Sequence, residues 1–476
     1  MNRQEKIQSI LEEKKEMITG LNRSIWKYAE GGYQEYRSAA KIKEVLEAEG
    51  FQVEEHAAGI ETALIGTYGS GSPVIGILAE YDALPNLSQE AGCAQRRPVE
   101  GQQYGHGCGH SALGAGAVGA AVIVKEYLKE TGLKGTVKLF GCPAEETGFG
   151  KAFMAKAHCF DGLDMCFSWH PEDGNYCFPR TIANYAVRFD FTGTSSHASS
   201  APEQGRSALD ACELMNVGVN YLREHVPSSV RIHYAYLDCG GDAPNVVQSH
   251  ASLLYYVRSP RLSLCGEILE RVKKIAQGAA MMTETEVKIR VLGGLNDYIP
   301  NPTASKLIAD AFVAFGGPDF DEEEFAIARK FLVAMPEEER KKAIAAGAKL
   351  NGLSQEEFAA RPLSTAAEHY SEKVRETLMP GSTDVGDVSH IAPTGQYMVS
   401  AVVMGTGDHT WQFTAQIGTS IGDKAGQAIA RAIALACAQV YENPVLAEQA
   451  RKELLEETGG VYISPIPDGM KPGEGM

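Results

Sequence analysis

Apolar residues recur at helical spacing through residues 5–30, with Ile7, Ile10 and Leu11 on one face. A second amphipathic stretch covers about 37–49 and stops at Gly50, a residue suited to a helix C-terminus. The pattern then changes. Thr62–Tyr68 and Pro73–Glu80 read as strands, and VIGILAE in the second is a continuous apolar run, as expected of a strand covered on both faces. It ends in Glu80-Tyr-Asp82-Ala-Leu-Pro85. Open α/β sheets place their sites at such strand C-termini. After a long loop, a helix is predicted over Ala112–Glu130, opening with small residues that allow close packing on a sheet. Strands follow at Thr136–Cys142 and Asp164–Trp169.

Around Asn184 the period becomes two. Residues 185–192 alternate like a half-exposed strand. A helix (about 206–224), strands (about 230–237 and 251–258), a helix (about 264–281) and a strand (about 286–292) complete a βαββαβ order, which fits a compact α+β insert with an antiparallel sheet. After Pro300 helices return, with an acidic helical stretch over about 319–379, a strand at Tyr397–Met404 and a long helix over about 419–442. The chain therefore reads as two-domain α/β. Residues 1–183 and 300–476 form a larger mixed-sheet domain, and residues 184–299 form a smaller inserted one.

Length and charge narrow the function. A chain of 476 residues fits three domains or two larger ones and buries a core without a disulfide framework. The net charge of -17 disfavours nucleic acid and anionic membrane surfaces. Any carboxylate on a substrate must then be held by local basic residues. The N-terminus reads as a charged amphipathic helix and not as an export signal, so the ten cysteines are expected as free thiols in a reducing cytoplasm. The apolar stretch Ala112–Val124 is too short and too rich in Gly and Ala to be expected to span a membrane.

The candidate chemistry starts from Gly105-His-Gly-Cys-Gly-His110. Cys108 and His110 lie two residues apart in a glycine turn, and thiolate plus imidazole suits zinc and related ions. A buried thiol beside a hydrogen-bonded histidine is the plain alternative. His106, in the same loop, is better placed as a supporting or structural residue. Glu145 and Glu146 follow an apolar strand. One of such a pair can bind metal while the other serves as general base. His170 in Ser-Trp-His-Pro and His409 in Gly-Asp-His-Thr-Trp are each weak alone; together with Cys108, His110 and the glutamates they make the inventory of a two-metal hydrolase. On the insert, His197, Asn245 and Arg258 could together supply donors to a carboxylate or an oxyanion. Gly114-Ala-Gly116-Ala-Val-Gly119 matches a dinucleotide fingerprint, but it lies inside a helix that does not directly follow a strand, so close helix packing explains it better.

These residues resemble the co-catalytic metallo-aminoacylase and carboxypeptidase superfamily, in the amidohydrolase branch that uses a cysteine as metal ligand and includes the p-aminobenzoyl-glutamate hydrolases. The resemblance runs nearly end to end. It is carried by residues 79–84 (AEYDAL), 91–95 (AGCAQ), 105–110 (GHGCGH), 205–211 (GRSALDA), 244–248 (PNVVQ), 282–285 (MTET), 382–389 (STDVGDVS) and 409–412 (HTWQ).

That resemblance implies a metallopeptidase-like catalytic domain with a dimerisation or lid insert. It implies two divalent ions, manganese or zinc, on Cys108, His110, Glu146, His170 and His409. Glu145 becomes the general base and acid, and Asp82 supports a ligand from behind. His197 helps stabilise the tetrahedral intermediate; Asn245 and Arg258 contact substrate. The implied substrate is a small N-acyl or N-aroyl amino acid, p-aminobenzoyl-glutamate foremost. The implied partner is a second copy or a related A-type subunit. Ser111, where relatives usually carry Asp or Asn, and His390, where a bulky aromatic is expected, depart from the pattern near the expected site. Three other readings remain: a dipeptidase of the same architecture, a non-catalytic assembly subunit, and an enzyme with Cys108 as nucleophile.

Overall fold

The computed structural model describes residues 2–474. They form two compact units. The first comprises 2–179, 299–377 and 388–462; the second comprises 180–298, 378–387 and 463–474.

The first unit is built on a seven-stranded mixed sheet in the order Gln52–Glu55, Leu64–Ser70, Gly135–Cys142, Val74–Glu80, Met165–Glu172, Thr394–Ser400, Tyr176–Cys177. The four strands from Gly135–Cys142 to Thr394–Ser400 are mutually parallel; the outer ones run antiparallel. Val74–Glu80 lies inside this parallel block, which explains its uninterrupted apolar run. Helices Arg3–Tyr28, His110–Thr131 and Ser420–Glu442 share one apolar core with the sheet, including Ile18, Ile77, Val118, Phe167 and Ile433. Trp169 is fully buried there and donates its Nε1–H to the Leu113 carbonyl (2.9 Å). Truncation to alanine at such a site costs about 3–5 kcal/mol.

The glycines of helix His110–Thr131 have the packing role expected of them. A Cβ on Gly114 would stand 2.6 Å from the Glu80 carbonyl oxygen, and one on Gly119 would stand 2.5 Å from Ile18. The helix runs well beyond the apolar stretch read from the sequence. Among the described residues it is the one helix long and apolar enough to cross a bilayer, yet 94% of its apolar window is buried in the fold. It is a core helix here.

The second unit has a four-stranded antiparallel sheet in the order Arg231–Asp238, His250–Ser259, Ala183–Thr192, Glu286–Leu295. Helices Ala208–Leu222 and Leu262–Thr283 pack on the face that carries Val187, Phe189, Phe191, Leu253, Tyr255 and Val257. The element order is the expected βαββαβ.

Two stretches return to this unit from beyond residue 300. Met379 N–H donates to the Arg180 carbonyl and Ile182 N–H to the Gly381 carbonyl. Asn296 Nδ2 donates to the Ile463 carbonyl (3.0 Å). Apart from the start of the short helix Val385–Ser389, these segments are irregular chain, so no hydrophobic period marks them. The acidic stretch 319–379 is likewise not one helix but Glu322–Ala334, Glu337–Asn351, Gln355–Ala360 and the short Lys373–Glu376. Met335 and Pro336 break the first pair, because a residue before proline avoids the helical region.

Candidate active site

The carboxyl ends of the parallel strands carry the candidate residues. Strand Val74–Glu80 delivers Glu80 and then Asp82. Strand Gly135–Cys142 leads into the Pro143–Glu146 turn. His170 lies within strand Met165–Glu172, not beyond it as expected, because that strand extends three residues past Trp169. Cys108 and His110 enter from the start of helix His110–Thr131. Gly109 takes φ 77° as its N-cap and sits where a Cβ would be 2.9 Å from Pro171. The turn therefore needs glycine both for its backbone and for space.

These elements bring two donor sets together: Cys108, His110 and His170, and Cys108, Glu146 and His409. Within each set all ligand atoms lie within 4.8 Å of one another. A third set joins Glu80, His110 and Glu145 in the same way. Cys108 Sγ is 3.3 Å from His170 Nε2, and His409 Nε2 is 3.3 Å from Glu146 Oε2. Metal–ligand bonds of 2.0–2.3 Å put tetrahedral neighbours roughly 3.3–3.8 Å apart, so these separations suit a shared cation. His110 Nε2 and Glu146 Oε1 are buried without hydrogen-bond partners and face each other at 3.9 Å. Orphaned buried donors and acceptors are costly unless something binds them. The mixture of sulfur, nitrogen and oxygen donors fits a first-row divalent ion.

Asp82 ties two of these groups together. Its Oδ1 meets His110 Nδ1 at 2.7 Å and its Oδ2 accepts from Glu146 N–H at 3.0 Å. Burial opposes the charge on Asp82, but His110 and these hydrogen bonds hold its carboxyl below the usual range. Burial likewise works against a charged His110, and the surrounding Asp82, Glu80 and Glu146 overcome it, raising the imidazole to about 10. Burial raises the Cys108 thiol well above its ordinary range, and the carboxylates of Glu146, Asp408 and Glu145 add to that. Without a bound cation this environment opposes a thiolate at Cys108, which disfavours a nucleophilic cysteine. A cation would reverse the balance by displacing the protons.

Glu80 and Lys151 stand beside the donor cluster, although the sequence gives neither of them a role in it. Lys151 Nζ lies 2.7 Å from Glu80 Oε1, and Glu80 Oε2 lies 3.3 Å from His110 Nε2; both side chains are buried. Glu80 is legible in the sequence only as the end of an apolar strand. A lysine on the short helix Gly150–Lys156 looks like any surface lysine. His106 stands apart from the donor sets: its Nε2 is 3.0 Å from the Ile25 carbonyl. Ser111 is fully buried and its hydroxyl has no hydrogen-bond partner. His390 lines a groove with His158, Asp161, Arg451 and Tyr462, which contains none of the donor residues, so its departure from the family pattern does not bear on the cluster directly.

In the second unit the loops around His197 and Asn245 meet. Ala198 N–H donates to the Asn245 carbonyl (2.9 Å), and His197 bridges to Val246. His197 Nδ1 accepts from the backbone N–H groups of Ser199 and Ser200 (3.3 and 3.2 Å). The neutral ring therefore carries its proton on the exposed Nε2. Arg258 does not join them. It lies eight positions along strand His250–Ser259, roughly 26 Å at 3.3 Å per residue, and it stacks over Tyr256. One copy of the unit does not gather all three donors at one place, contrary to what the sequence suggests.

A family model for "Peptidase family M20/M25/M40" matches residues 76–413. The chain belongs to this family. It is 38% identical over 470 residues to the B-type subunit of p-aminobenzoyl-glutamate hydrolase from Escherichia coli K12, covering 98% of both chains. It is 27% identical to a mouse Xaa-Arg dipeptidase, over 93% of this chain and 90% of the relative. Among solved structures, a dinuclear metal-binding peptidase of family M20 from Bacillus subtilis matches its fold with a TM-score of 0.60 at 16% identity, covering 91% of this chain and 99% of the other. The protein is thus a hydrolase of the metallopeptidase type that acts on amide bonds.

Proposed function

We propose that the bond this hydrolase cleaves is the amide of an N-acyl or N-aroyl amino acid, with p-aminobenzoyl-glutamate, split to p-aminobenzoate and glutamate, as the leading substrate. The observation that carries the reading is the convergence of Cys108, His110, Glu146, His170 and His409, with Glu145 on the same turn. The near full-length likeness to the E. coli p-aminobenzoyl-glutamate hydrolase chain supports the aroyl-glutamate choice; the more distant dipeptidase supports a dipeptide less.

Two divalent ions, manganese or zinc, would be held by the two sets that share Cys108. Once bound, such ions supply the positive charge that polarises the amide carbonyl and acidifies water. The residues do the rest. Asp82 fixes the His110 ring and the Glu146 backbone from behind. Glu145 takes the proton of the attacking water on its carboxylate and hands it to the departing nitrogen. His197, with its proton on Nε2, donates to the developing oxyanion. Asn245 offers an N–H donor to a substrate carboxylate, and Arg258, at the far end of its strand, would serve the same carboxylate only from the second chain. The chain acts with a second chain, either another copy or a related A-type subunit; the naming of the E. coli relative as one of two subunit types supports this. Ten free cysteines support a cytoplasmic setting.

The test is turnover of the manganese- or zinc-reconstituted protein on a panel of N-acyl amino acids, p-aminobenzoyl-glutamate and dipeptides. The highest kcat/KM is expected on p-aminobenzoyl-glutamate. A dipeptide that is turned over better would overturn the substrate choice. Stoichiometric metal with no turnover on any amide would favour an assembly role.

A further inference from the structure

The turn that carries Glu145 and Glu146 is held from outside by a segment with no assigned role. Residues 30–35 join helix Arg3–Tyr28 to helix Tyr36–Ala48 and lie against residues 144–148. Ala144 opens the Glu145–Gly148 turn with φ 55°, and Phe149 closes it with φ 56°. Both are left-handed positions that L side chains avoid, so the turn does not hold this shape by local preference. Three contacts impose it. Glu35, fully buried, accepts the Ala144 N–H on Oε1 at 2.8 Å. The Tyr33 hydroxyl donates to the Gly148 carbonyl at the other end. Gly32 fits between them, where a Cβ would be 2.9 Å from Thr147 Oγ1 and 3.0 Å from Ala144 Cβ. The free end of Glu35 is also pinned, because Oε2 accepts from Thr62 Oγ1 at 2.8 Å. The backbone oxygen of Glu30 accepts from Ala83 N–H (2.8 Å), so the same segment also grips the chain next to Asp82.

We propose that Glu35 and Tyr33 are positioning residues that clamp the two ends of the Glu145–Glu146 turn and thereby set where the Glu145 carboxylate stands. Neither touches the donor sets. They act through the backbone of the turn. The proposal rests on the reading of Glu145 as general base. What the clamp needs from Glu35 is an acceptor aimed at Ala144 N–H, and not a charge. A glutamine keeps that acceptor and can donate its amide N–H to Thr62 Oγ1, whose hydroxyl can rotate to accept. A leucine of similar size leaves Ala144 N–H unpaired in the interior.

The test compares Glu35→Gln, Glu35→Leu and Tyr33→Phe with the parent in the metal-loaded protein, with Glu145→Gln alongside. Three quantities are read: kcat and KM on the best substrate, bound metal per chain, and amide hydrogen exchange over residues 143–150. Glu35→Leu is expected to lower kcat about 10- to 100-fold, the scale of an ångström-size misplacement, with metal content and KM nearly unchanged. Exchange across 143–150 should speed up. Tyr33→Phe should do the same to a smaller degree, and it keeps the proposal testable if Glu35→Leu does not fold. Glu35→Gln should restore kcat and exchange to parent values. Parent-like kcat and exchange in Glu35→Leu or in Tyr33→Phe, while Glu145→Gln is inactive, would overturn the clamp and leave the base intact. A fully active Glu145→Gln would overturn both.

Discussion

Most candidate residues of the first unit are buried or half-buried, His409 being exposed, whereas His197 and Asn245 of the second are exposed. In the first unit His110, Asp82, Glu80 and Lys151 are buried, and each is held by a charged neighbour within 2.7–3.3 Å. In the second unit His197 and Asn245 are exposed on loops, and their visible partners are backbone groups and a neighbouring serine. Burial makes each electrostatic contact stronger and each missing partner costlier. The first unit is therefore built to fix charge before substrate arrives. The second presents donors that keep their hydration until something covers them. On the proposed reading, the metal ligands and the base belong with the first arrangement, and the donors that meet substrate and oxyanion belong with the second.

The sharpest way to break this contrast is to remove the proposed base. Glu145→Gln should lower kcat by about 10²–10⁴-fold, the usual share of a general base, with metal content unchanged. Less than a tenfold loss would show that the buried cluster does not hold the proton-transfer group. The next effect tests the exposed side. His197→Ala should cost about 10²–10³-fold in kcat, the scale of a lost oxyanion donor, with no change in metal content or thermal midpoint. A lower midpoint or depleted metal would mean that His197 is structural and that the two units do not divide the work this way. Smaller still is Asp82→Asn. Losing the partner behind His110 and Glu146 should weaken metal binding about 10- to 100-fold by equilibrium dialysis. Turnover at saturating metal should largely recover. Unchanged affinity would show that the buried pairing does not tune the ligands.

How much of this is legible in the sequence follows the same division. Glycines 105, 107 and 109 around Cys108 carry a spacing that sequence can display, and the apolar strand ending at Glu80 announces a site at its carboxyl end. The insert's period-two strands give its βαββαβ order directly. What escapes is whatever depends on a partner distant in sequence. Lys151 comes to stand beside the donor cluster only because helix Gly150–Lys156 turns it onto Glu80, 71 positions earlier. Glu35 meets Ala144 across 109 positions. Segments 378–387 and 463–474 join the second unit through backbone hydrogen bonds to Arg180 and Ile182 and through the side chain of Asn296, contacts between distant positions that no local pattern marks. The proline at 171 suggests a strand end before His170. Strand pairing with Thr394–Ser400 instead carries the strand through it.

The last prediction concerns a buried carboxyl of the first unit that departs from its neighbours. Burial, with the nearby charge of Asp82, raises Glu35 to about 8. An acid whose folded pKa lies above its unfolded one binds its proton more tightly when folded. Its contribution to stability is therefore fully present below the unfolded value near 4.5 and is lost as pH rises toward 8. Glu35→Gln has no such proton to lose. The difference in unfolding free energy, variant minus parent, should grow from about pH 4.5 to about pH 8 and stay flat above it, while kcat at neutral pH stays near the parent value. Chemical denaturation at intervals across this range measures it. A difference independent of pH would mean that Glu35 is ionised in the fold at all these values. It would then belong with Asp82 and Glu146, whose negative charge is what the structure uses.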